Sequence, residues 1–265
     1  MYNEDSNLEP TGYVVSVDGA CRVPIRRFTM ALQPASGLLV VDMQNDFMPG
    51  GALGVTGGDL ILPRVNAYIA QFRMAGVPVF ASRDWHPPET VHFRASGGPW
   101  PRHCVQNTPG AEFHPRLRFP DDMLVVSKGM DPKEDAYSAF QARDLATGRT
   151  LPELLRVEGV AHLYVAGLAL DYCVRWSSLD AVREGLGVTV LIDATRAVNV
   201  NPHDAEETIE TLVRVGVGFD TIETLWITCK ACAEEGVETR GTGVAAAERE
   251  LAELEDRARK VEASE

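Results

Sequence analysis

The sequence predicts an α/β fold of three layers, in which a mostly parallel central sheet lies between two layers of helices. Between residues 37 and 222, short apolar runs of strand length alternate with segments of helical period. Several of these runs are apolar throughout, which is typical of parallel strands that are covered on both faces. Ligands bind at the carboxyl ends of the strands in such sheets, so residues at those ends are the first candidates for a functional site.

Composition and charge narrow the range of functions. The chain of 265 residues has 25 basic and 38 acidic side chains, a formal net charge of −13, which disfavours binding to nucleic acid or to an anionic membrane surface. No apolar run is long enough to span a bilayer and the first ten residues are acidic and polar, so we expect no membrane partner and a cytoplasmic location. The odd number of cysteines, five, fits free thiols in a reducing compartment better than a disulfide framework.

Residues 1–36 are predicted to be an N-terminal extension that contains a β-hairpin. Tyr13 to Val17 and Ala20 to Val23 flank Asp18-Gly19, a dipeptide that is typical of two-residue hairpin turns. The first core strand then runs from Gly37 to Asp42 and ends on a carboxylate.

The next elements alternate between helix and strand. A helix is predicted after residue 59, with apolar side chains at helical spacing: Leu60, Val65, Ile69 and Phe72. The second core strand, 77–82, leads to Asp84 and to a segment rich in Pro and Gly, 87–120, that has no periodicity. Loops of that length are usually functional or disordered. Four of the six histidines lie between positions 86 and 114.

The second half of the chain continues the alternation. A third strand, 123–128, ends on Lys128, and the capping box Thr150-Leu-Pro-Glu153 begins a short helix. The elements that follow are a strand from residue 162 to 167, a helix to residue 185, a strand at 188–192, a helix at 202–215 capped by Asn201, and a strand at 219–222.

Residues 229–265 are predicted to be a C-terminal extension. Ala245 to Lys260 has the pattern of an amphipathic helix that docks or self-associates, which leaves a homo-oligomer open; a solvated tail is the alternative. Cys229-Lys-Ala-Cys232 is a lone C-x-x-C without a second pair of ligands, so it is a weak indication of a zinc or redox site.

Cys173 is predicted to lie in the first turn of a helix that follows a buried strand. Unpaired backbone N–H groups and the helix dipole favour a thiolate there, although a small buried hydrophobe is the alternative interpretation. Asp42, Asp84 and Lys128 also end or follow predicted strands. A nucleophilic thiol needs a base and a positive neighbour, which these residues supply; a buried structural ion pair is the alternative for Asp42 and Lys128.

Five motifs, in order along the chain, resemble those of the nicotinamidase/pyrazinamidase enzymes, which are isochorismatase-like cysteine hydrolases. They are Asp42-Met-Gln-Asn-Asp-Phe47, Asp84-Trp-His-Pro87, Trp100-Pro-Arg-His-Cys-Val105, Lys128-Gly129 with Asp135-Ala-Tyr-Ser-Ala-Phe140, and Gly167-Leu-Ala-Leu-Asp-Tyr-Cys-Val174. With the strand and helix pattern as its frame, the resemblance covers about residues 38 to 227. The resemblance implies an isochorismatase-like hydrolase domain over residues 37–228. It also implies that nicotinamide is the substrate and is hydrolysed to nicotinate and ammonia through a cysteine thioester.

The resemblance also implies the catalytic roles. By motif position, Cys173 matches the nucleophile, Asp42 the carboxylate that takes its proton, and Lys128 the cation beside them. The backbone N–H groups of Cys173 and Ala169 match the oxyanion hole, with a cis peptide bond between Leu168 and Ala169. A leucine at position 170 departs from the threonine that is common there.

A metal site and a ring pocket follow from the same resemblance. Asp84, His86 and His103 match the ligands of a divalent metal, Zn, Fe or Mn. Thr90 stands where many members have a further histidine, and His92 matches the spacing of the pyrazinamidases, in which it is a fourth ligand. Side chains that line the family's ring pocket match Phe47, Trp100, Tyr137 and Leu168, with core packing as the alternative for Phe47 and Tyr137.

Two other functions stay open from the sequence. One is a related hydrolase that acts on a different small amide or on an isochorismate-like enol ether, against which the metal ligands argue. The other is a non-catalytic scaffold that binds a metal or a partner through the terminal extensions. The intact set of nucleophile, base and lysine disfavours the scaffold.

Overall fold

The structure is a computed structural model that describes residues 13–15, 22–24, 32–222 and 225. In the described part of the chain, the main sheet has six strands, all parallel to their neighbours. These strands are β3 Ser36–Val41, β4 Val79–Asp84, β5 Leu124–Lys128, β6 His162–Leu168, β7 Gly187–Arg196 and β8 Gly218–Asp220. The helices are α1 Leu62–Met74, α2 Leu151–Val157, α3 Arg175–Arg183 and α4 Asp204–Arg214.

Two further strands pair near the N-terminus. β1 Tyr13–Val15 and β2 Arg22–Pro24 are antiparallel, with Val14 opposite Val23. The predicted turn at Asp18-Gly19 lies outside the described residues, as do the predicted C-terminal helix and Cys229-Lys-Ala-Cys232. The division of the chain into a domain with two extensions stays a prediction.

The strand order in the main sheet is β5-β4-β3-β6-β7-β8. The chain therefore begins in the middle of the sheet, moves outward through β4 and β5, and returns to build the other half. The direction of winding reverses between β3 and β6, which is where open parallel sheets bind ligands. Asp42 directly follows β3, and Cys173 lies five residues after the end of β6.

Side chains from both faces of the sheet enter two hydrophobic clusters. Along β3, Leu39 and Val41 pack in the cluster that contains residues of α2, α3 and α4, whereas Leu38 and Val40 pack in the cluster that contains α1. Burial of both faces explains why the strands are apolar throughout. The predicted three-layer fold with a parallel sheet is confirmed.

Two local predictions were wrong. Leu60 is not on the buried face of a helix: it is 42% exposed in a short 3₁₀ turn, Gly58–Ile61, that precedes α1. Asn201 does not cap α4, because the helix begins at Asp204 with His203 in the cap position, and the Asn201 amide donates to the Asp204 carboxylate instead. Cys173 lies in the helical turn Leu170–Val174, of π type, which continues directly into α3.

None of the helices in the described ranges combines the length and the apolar character that a bilayer span requires.

Candidate active site

Lys128 is the centre of a buried ion cluster at the carboxyl edge of the sheet. Its Nζ lies 2.9 Å from Asp42 Oδ2, contacts Asp84 Oδ1, and lies 3.4 Å from Cys173 Sγ. Asp42, Asp84 and Lys128 come from the ends of three adjacent strands, and Asp84 and Lys128 are direct partners in the β4–β5 register. The sheet thus brings together the four residues that the strand ends indicated.

Ser82 of β4 holds both the carboxylate and the backbone of Asp42 in place. Ser82 Oγ donates to Asp42 Oδ1 at 2.7 Å, and the Asp42 N–H donates to the Ser82 carbonyl at 3.1 Å. Asp42 has a φ of +47°, an uncommon value for a residue other than glycine. One carboxylate oxygen is therefore fixed by Ser82, and the other is left to face Lys128.

The two carboxylates differ in their proton affinity. Burial raises the pKa of Asp42, and the Lys128 ammonium opposes that rise, whereas the charge of Asp84 adds to it. Burial acts on Asp84 in the same direction, but the Lys128 charge and the neighbouring imidazoles of His103 and His86 hold the pKa of Asp84 well below its usual range. Asp84 is therefore ionised at neutral pH, and Asp42 is the carboxylate better able to accept a proton.

Burial would lower the pKa of Lys128, but the two carboxylates raise that pKa well above its usual range, so the side chain carries a full positive charge. Cys173 lies beside this ammonium in a wide π-type turn, Leu170–Val174, that leads into α3. Burial raises the pKa of the Cys173 thiol well above its usual range; Lys128 opposes this, and the Asp42 and Asp84 charges add to it. Burial and the two carboxylates therefore oppose the thiolate that the helix start was predicted to favour.

Three histidines form a second cluster next to the first. His86, His92 and His103 are buried and each offers a ligand atom within 4.8 Å of the others. Asp84 Oδ2 joins the two clusters, because it lies 3.5 Å from His86 Nε2 and 3.7 Å from His103 Nε2. His114 lies outside this cluster, and its Nδ1 accepts the Arg116 N–H at 3.2 Å.

The histidine cluster fits a divalent metal. The Nδ1 atoms of His86 and His103 lie 3.0 Å and 2.7 Å from the carbonyl oxygens of Gly129 and Pro101, which directs both Nε2 atoms toward Asp84. His86 Nε2 is buried and makes no hydrogen bond. Buried imidazole nitrogens without protons, beside an ionised carboxylate, are the donor set of protein metal sites.

A cavity with aromatic walls opens onto both clusters. Its lining includes the four predicted pocket residues Phe47, Trp100, Tyr137 and Leu168, together with Asp84, His92, His103, Ala169 and Cys173. Trp100 Nε1 donates to the Tyr137 hydroxyl at 2.9 Å, which fixes two walls relative to each other. The Leu168–Ala169 peptide bond is cis, as the resemblance implies, and Ala169 begins the turn that carries Cys173.

The sequence analysis missed four further lining residues: Leu53, Val55, Tyr172 and Val198. Tyr172 could have been found because it precedes Cys173, and its ring lies 5.1 Å from that of Trp100. Leu53 and Val55 lie in a loop without periodicity, so no pattern marks them.

Three buried or half-buried polar residues around the cavity were also missed as positioning groups. Gln44 bonds both backbone groups of Asp84, with its Oε1 accepting the N–H and its Nε2 donating to the carbonyl, each at 2.7 Å. Asp46 accepts the Cys104 N–H at 2.7 Å, and Asp171 accepts the Val198 N–H at 2.9 Å. Gln44, Asp46 and Asp171 all lie inside recognised motifs, and that position was the available signal.

Residues 36–216 match the family described as the Isochorismatase domain. The chain belongs to the isochorismatase family. The predicted family is thereby confirmed. The match spans β3 to β7, which are five of the six strands of the main sheet.

Individual members of the isochorismatase family resemble this chain closely. A protein named nicotinamidase from Escherichia coli (strain K12) is 37% identical over 204 residues, 71% of this chain and 96% of that protein. The crystal structure of pyrazinamidase of Pyrococcus horikoshii in complex with zinc is 46% identical with a TM-score of 0.66, covering 71% of this chain and 100% of that one. PnC1 from L. infantum in complex with nicotinate is 35% identical with a TM-score of 0.65, covering 72% and 94%.

Proposed function

We propose that this isochorismatase-family protein hydrolyses nicotinamide to nicotinate and ammonia through a thioester on Cys173. The observation that carries the proposal is that Lys128 contacts both Cys173 and Asp42, with Cys173 in the lining of an aromatic cavity. Flat aromatic walls suit a pyridine ring. The relatives named nicotinamidase and the related structure with nicotinate support the same substrate.

Asp42 begins the reaction as a base. It takes the Cys173 proton while Sγ attacks the amide carbonyl carbon, so that a C–S bond forms and the carbonyl π electrons move to oxygen. The raised pKa of Asp42 makes this transfer easier, and the Lys128 charge stabilises the sulfur anion as it develops. Backbone N–H groups of Cys173 and Ala169 stabilise the oxyanion.

Asp42 then acts as an acid. It gives its proton to the amide nitrogen, the C–N bond breaks, and ammonia leaves the thioester behind. Water loses a proton to Asp42 and attacks the thioester carbonyl; the C–S bond breaks, and the proton returns to Sγ as nicotinic acid leaves and ionises. A single carboxylate can serve both steps because burial raises its pKa above the usual range of a carboxyl group.

We further propose that Asp84, His86, His92 and His103 hold a divalent metal, Zn, Fe or Mn. A metal held there would supply a Lewis acid able to orient the substrate ring through a heteroaromatic nitrogen. The protein's own contribution is the ionised Asp84 carboxylate and the fixed imidazole rings, and the related zinc complex supports the choice of a divalent ion.

Purified protein supplied with Zn²⁺ or Mn²⁺ should release ammonia and nicotinate from nicotinamide. The C173A variant should lose at least about 10³-fold in kcat, because the nucleophile is gone. C229A is the matched control, since it removes a cysteine that the proposal does not use, and it should keep wild-type activity. No ammonia from the metal-loaded wild type, or equal turnover by C173A, would exclude the proposal.

A panel of small amides separates the proposed enzyme from a related hydrolase. Nicotinamide and pyrazinamide share a ring nitrogen meta to the carbon that bears the carboxamide, and benzamide lacks this nitrogen. If the metal cluster orients the ring, benzamide should be turned over at least about 10-fold more slowly. Equal rates would favour a hydrolase with a different substrate.

A cytoplasmic location and a homo-oligomer stay predictions, which fractionation and light scattering test.

A further inference from the structure

Each histidine of the cluster has its Nδ1 atom beside an oxygen atom. For His86 and His103 these oxygens are the backbone carbonyls of Gly129 and Pro101. For His92 the oxygen belongs to a side chain, because Asp135 Oδ1 contacts its Nδ1. In all three rings Nδ1 faces an oxygen atom, so Nε2 is the nitrogen that is left to bind a metal.

We infer that Asp135 is a positioning residue that fixes the tautomer and orientation of His92 for metal binding. This inference rests on the metal site of the proposed function and deepens it. Metal-bound histidines commonly donate their second N–H to a carboxylate, which orients the ring and raises the basicity of the ligating nitrogen. Asp135 differs from the other two acceptors in being a side chain, so substitution can remove it without altering the backbone.

The packing of the rings leaves His92 dependent on this contact. Its ring stacks on that of His86 with the centroids 4.6 Å apart and the planes at 26°, and its centroid lies 5.4 Å from that of His103. Stacking keeps the ring plane but leaves a half-turn about the Cβ–Cγ bond, which exchanges Nδ1 with Cδ2 and Nε2 with Cε1. The Asp135 carboxylate, 41% exposed, is the group beside Nδ1 that selects between the two ring orientations.

Asp135 also belongs to a segment that joins the metal cluster to the cavity wall. Within residues 129–137, the Gly129 carbonyl meets His86, the Pro132 carbonyl accepts the Val91 N–H at 3.0 Å, and the Tyr137 hydroxyl accepts from Trp100. The segment therefore follows Lys128 directly and touches the histidine loop at several points. In this segment, Asp135 contacts a proposed metal ligand, His92, through a charged side chain.

The test measures Zn²⁺ affinity by competition with a chromophoric chelator, using wild type, D135A, D135N and E134A. D135A should weaken Zn²⁺ binding by about 10- to 100-fold, as expected for loss of an outer-shell partner. D135N should lie between D135A and wild type, because an amide oxygen still accepts the hydrogen bond without the charge. E134A removes a neighbouring exposed acid and should stay within about twofold of wild type.

A second readout needs no metal and no activity. In metal-free protein, ¹⁵N NMR of the imidazoles should show His92 as the Nδ1–H tautomer in wild type and a shifted tautomer population in D135A. D135A with Zn²⁺ affinity within about threefold of wild type, an equal loss in E134A, or an unchanged His92 tautomer would each overturn the inference. If D135A does not fold, D135N carries the same comparison.

These measurements are independent of turnover. Zn²⁺ binding and the His92 tautomer are measured without substrate, whereas the proposed function is tested by ammonia release from nicotinamide by the wild type. The Zn²⁺ affinities of wild type and variants could follow the predicted order while the wild type releases no ammonia. That outcome would contradict the proposed substrate and leave the role of Asp135 intact.

Discussion

Gln44 illustrates how a single side chain can position a catalytic strand end. Its amide bonds the Asp84 N–H and carbonyl, and its Nε2 also donates to the Ala111 carbonyl at 2.9 Å. These are the bonds that another strand would make, and they hold Asp84 where β4 ends. Asp84 then meets Lys128 with one oxygen and the histidines with the other.

The Q44E variant should disturb this arrangement. The new carboxylate has the same size but faces two carbonyl oxygens without a donor, so we expect a loss of about 1–3 kcal/mol in the free energy of unfolding, measured in urea. Displacement of Asp84 should also lower kcat. N45D is the matched control, because Asn45 makes an exposed bond to the Pro109 carbonyl. Equal losses in the two variants would contradict a positioning role for Gln44.

Position 129 requires glycine for two reasons, the close approach of the His86 ring and the positive φ of its own backbone. Its φ is +65°, and a Cβ atom added there would lie 2.4 Å from His86 Cε1. We expect G129A to displace His86 and weaken Zn²⁺ binding by at least about 10-fold, measured by chelator competition. G148A is the control: Gly148 has a φ of +73° but open space around it, so it shares the backbone strain of about 1 kcal/mol and should bind Zn²⁺ normally. The same Zn²⁺ affinity in both variants would contradict this.

Residue identity was easier to predict than protonation. The motifs placed Asp42, Lys128 and Cys173 together, and the structure does the same. The proton affinities could not be predicted, because they depend on the burial of each group and on the second carboxylate beside Lys128. A helix start near a cysteine indicates the thiolate only when the thiol is not enclosed by apolar atoms and neighbouring acids.

At the scale of elements, strands were predicted well where both faces are buried. β3 and β6 are continuous apolar runs, and their predicted positions agree with the structure within a residue or two. Helix starts were predicted unevenly: the capping box Thr150–Glu153 does begin α2, whereas Asn201 does not cap α4. At α4, the Asp204 carboxylate bonds Asn201, so the helix begins later than the cap signal indicates.

The contact between β6 and β7 at His162 should make the free energy of unfolding depend on pH. His162 at the start of β6 lies 2.9 Å from Thr189 Oγ1 on β7, and burial lowers the pKa of its imidazole. The folded protein then binds this proton more weakly than the unfolded chain, whose pKa is about 6.5. The contribution of His162 to the free energy of unfolding is complete above the pKa of the unfolded chain. It is lost as pH falls through the lower pKa of the folded protein.

The H162Q variant tests this, since glutamine keeps a hydrogen-bonding group that does not titrate. Urea unfolding from pH 8 to pH 5 should show wild type losing more stability than H162Q on acidification. Equal pH slopes for the two proteins would contradict the assignment, and an NMR titration of His162 reports its folded pKa directly.

On the scale of the whole molecule, topology explains why strand ends were a reliable guide and loops were not. The chain reverses its winding between β3 and β6, so Asp42 and Cys173 follow neighbouring strands although they are far apart in sequence. The segment between β4 and β5 has no periodicity, and its conformation depends on pairs such as Asp46 with the Cys104 N–H. Its histidines were assigned by resemblance, because spacing alone does not show which side chains meet.

Metal binding should stabilise the whole fold, because the proposed histidine ligands lie on the long loop between β4 and β5 while Asp84 ends β4 itself. A ligand that binds only the folded state adds about 2.7 kcal/mol at 100 times its Kd, which raises Tm by roughly 5–11 °C for a domain of this size. Chelation should therefore lower Tm and Zn²⁺ should restore it, as measured by thermal unfolding. H103A should abolish the Zn²⁺-dependent shift, whereas H114A, which alters a histidine of the same loop outside the cluster, should keep it. An equal Tm with and without Zn²⁺, or a lost shift in H114A, would show that the histidine cluster does not bind metal as proposed.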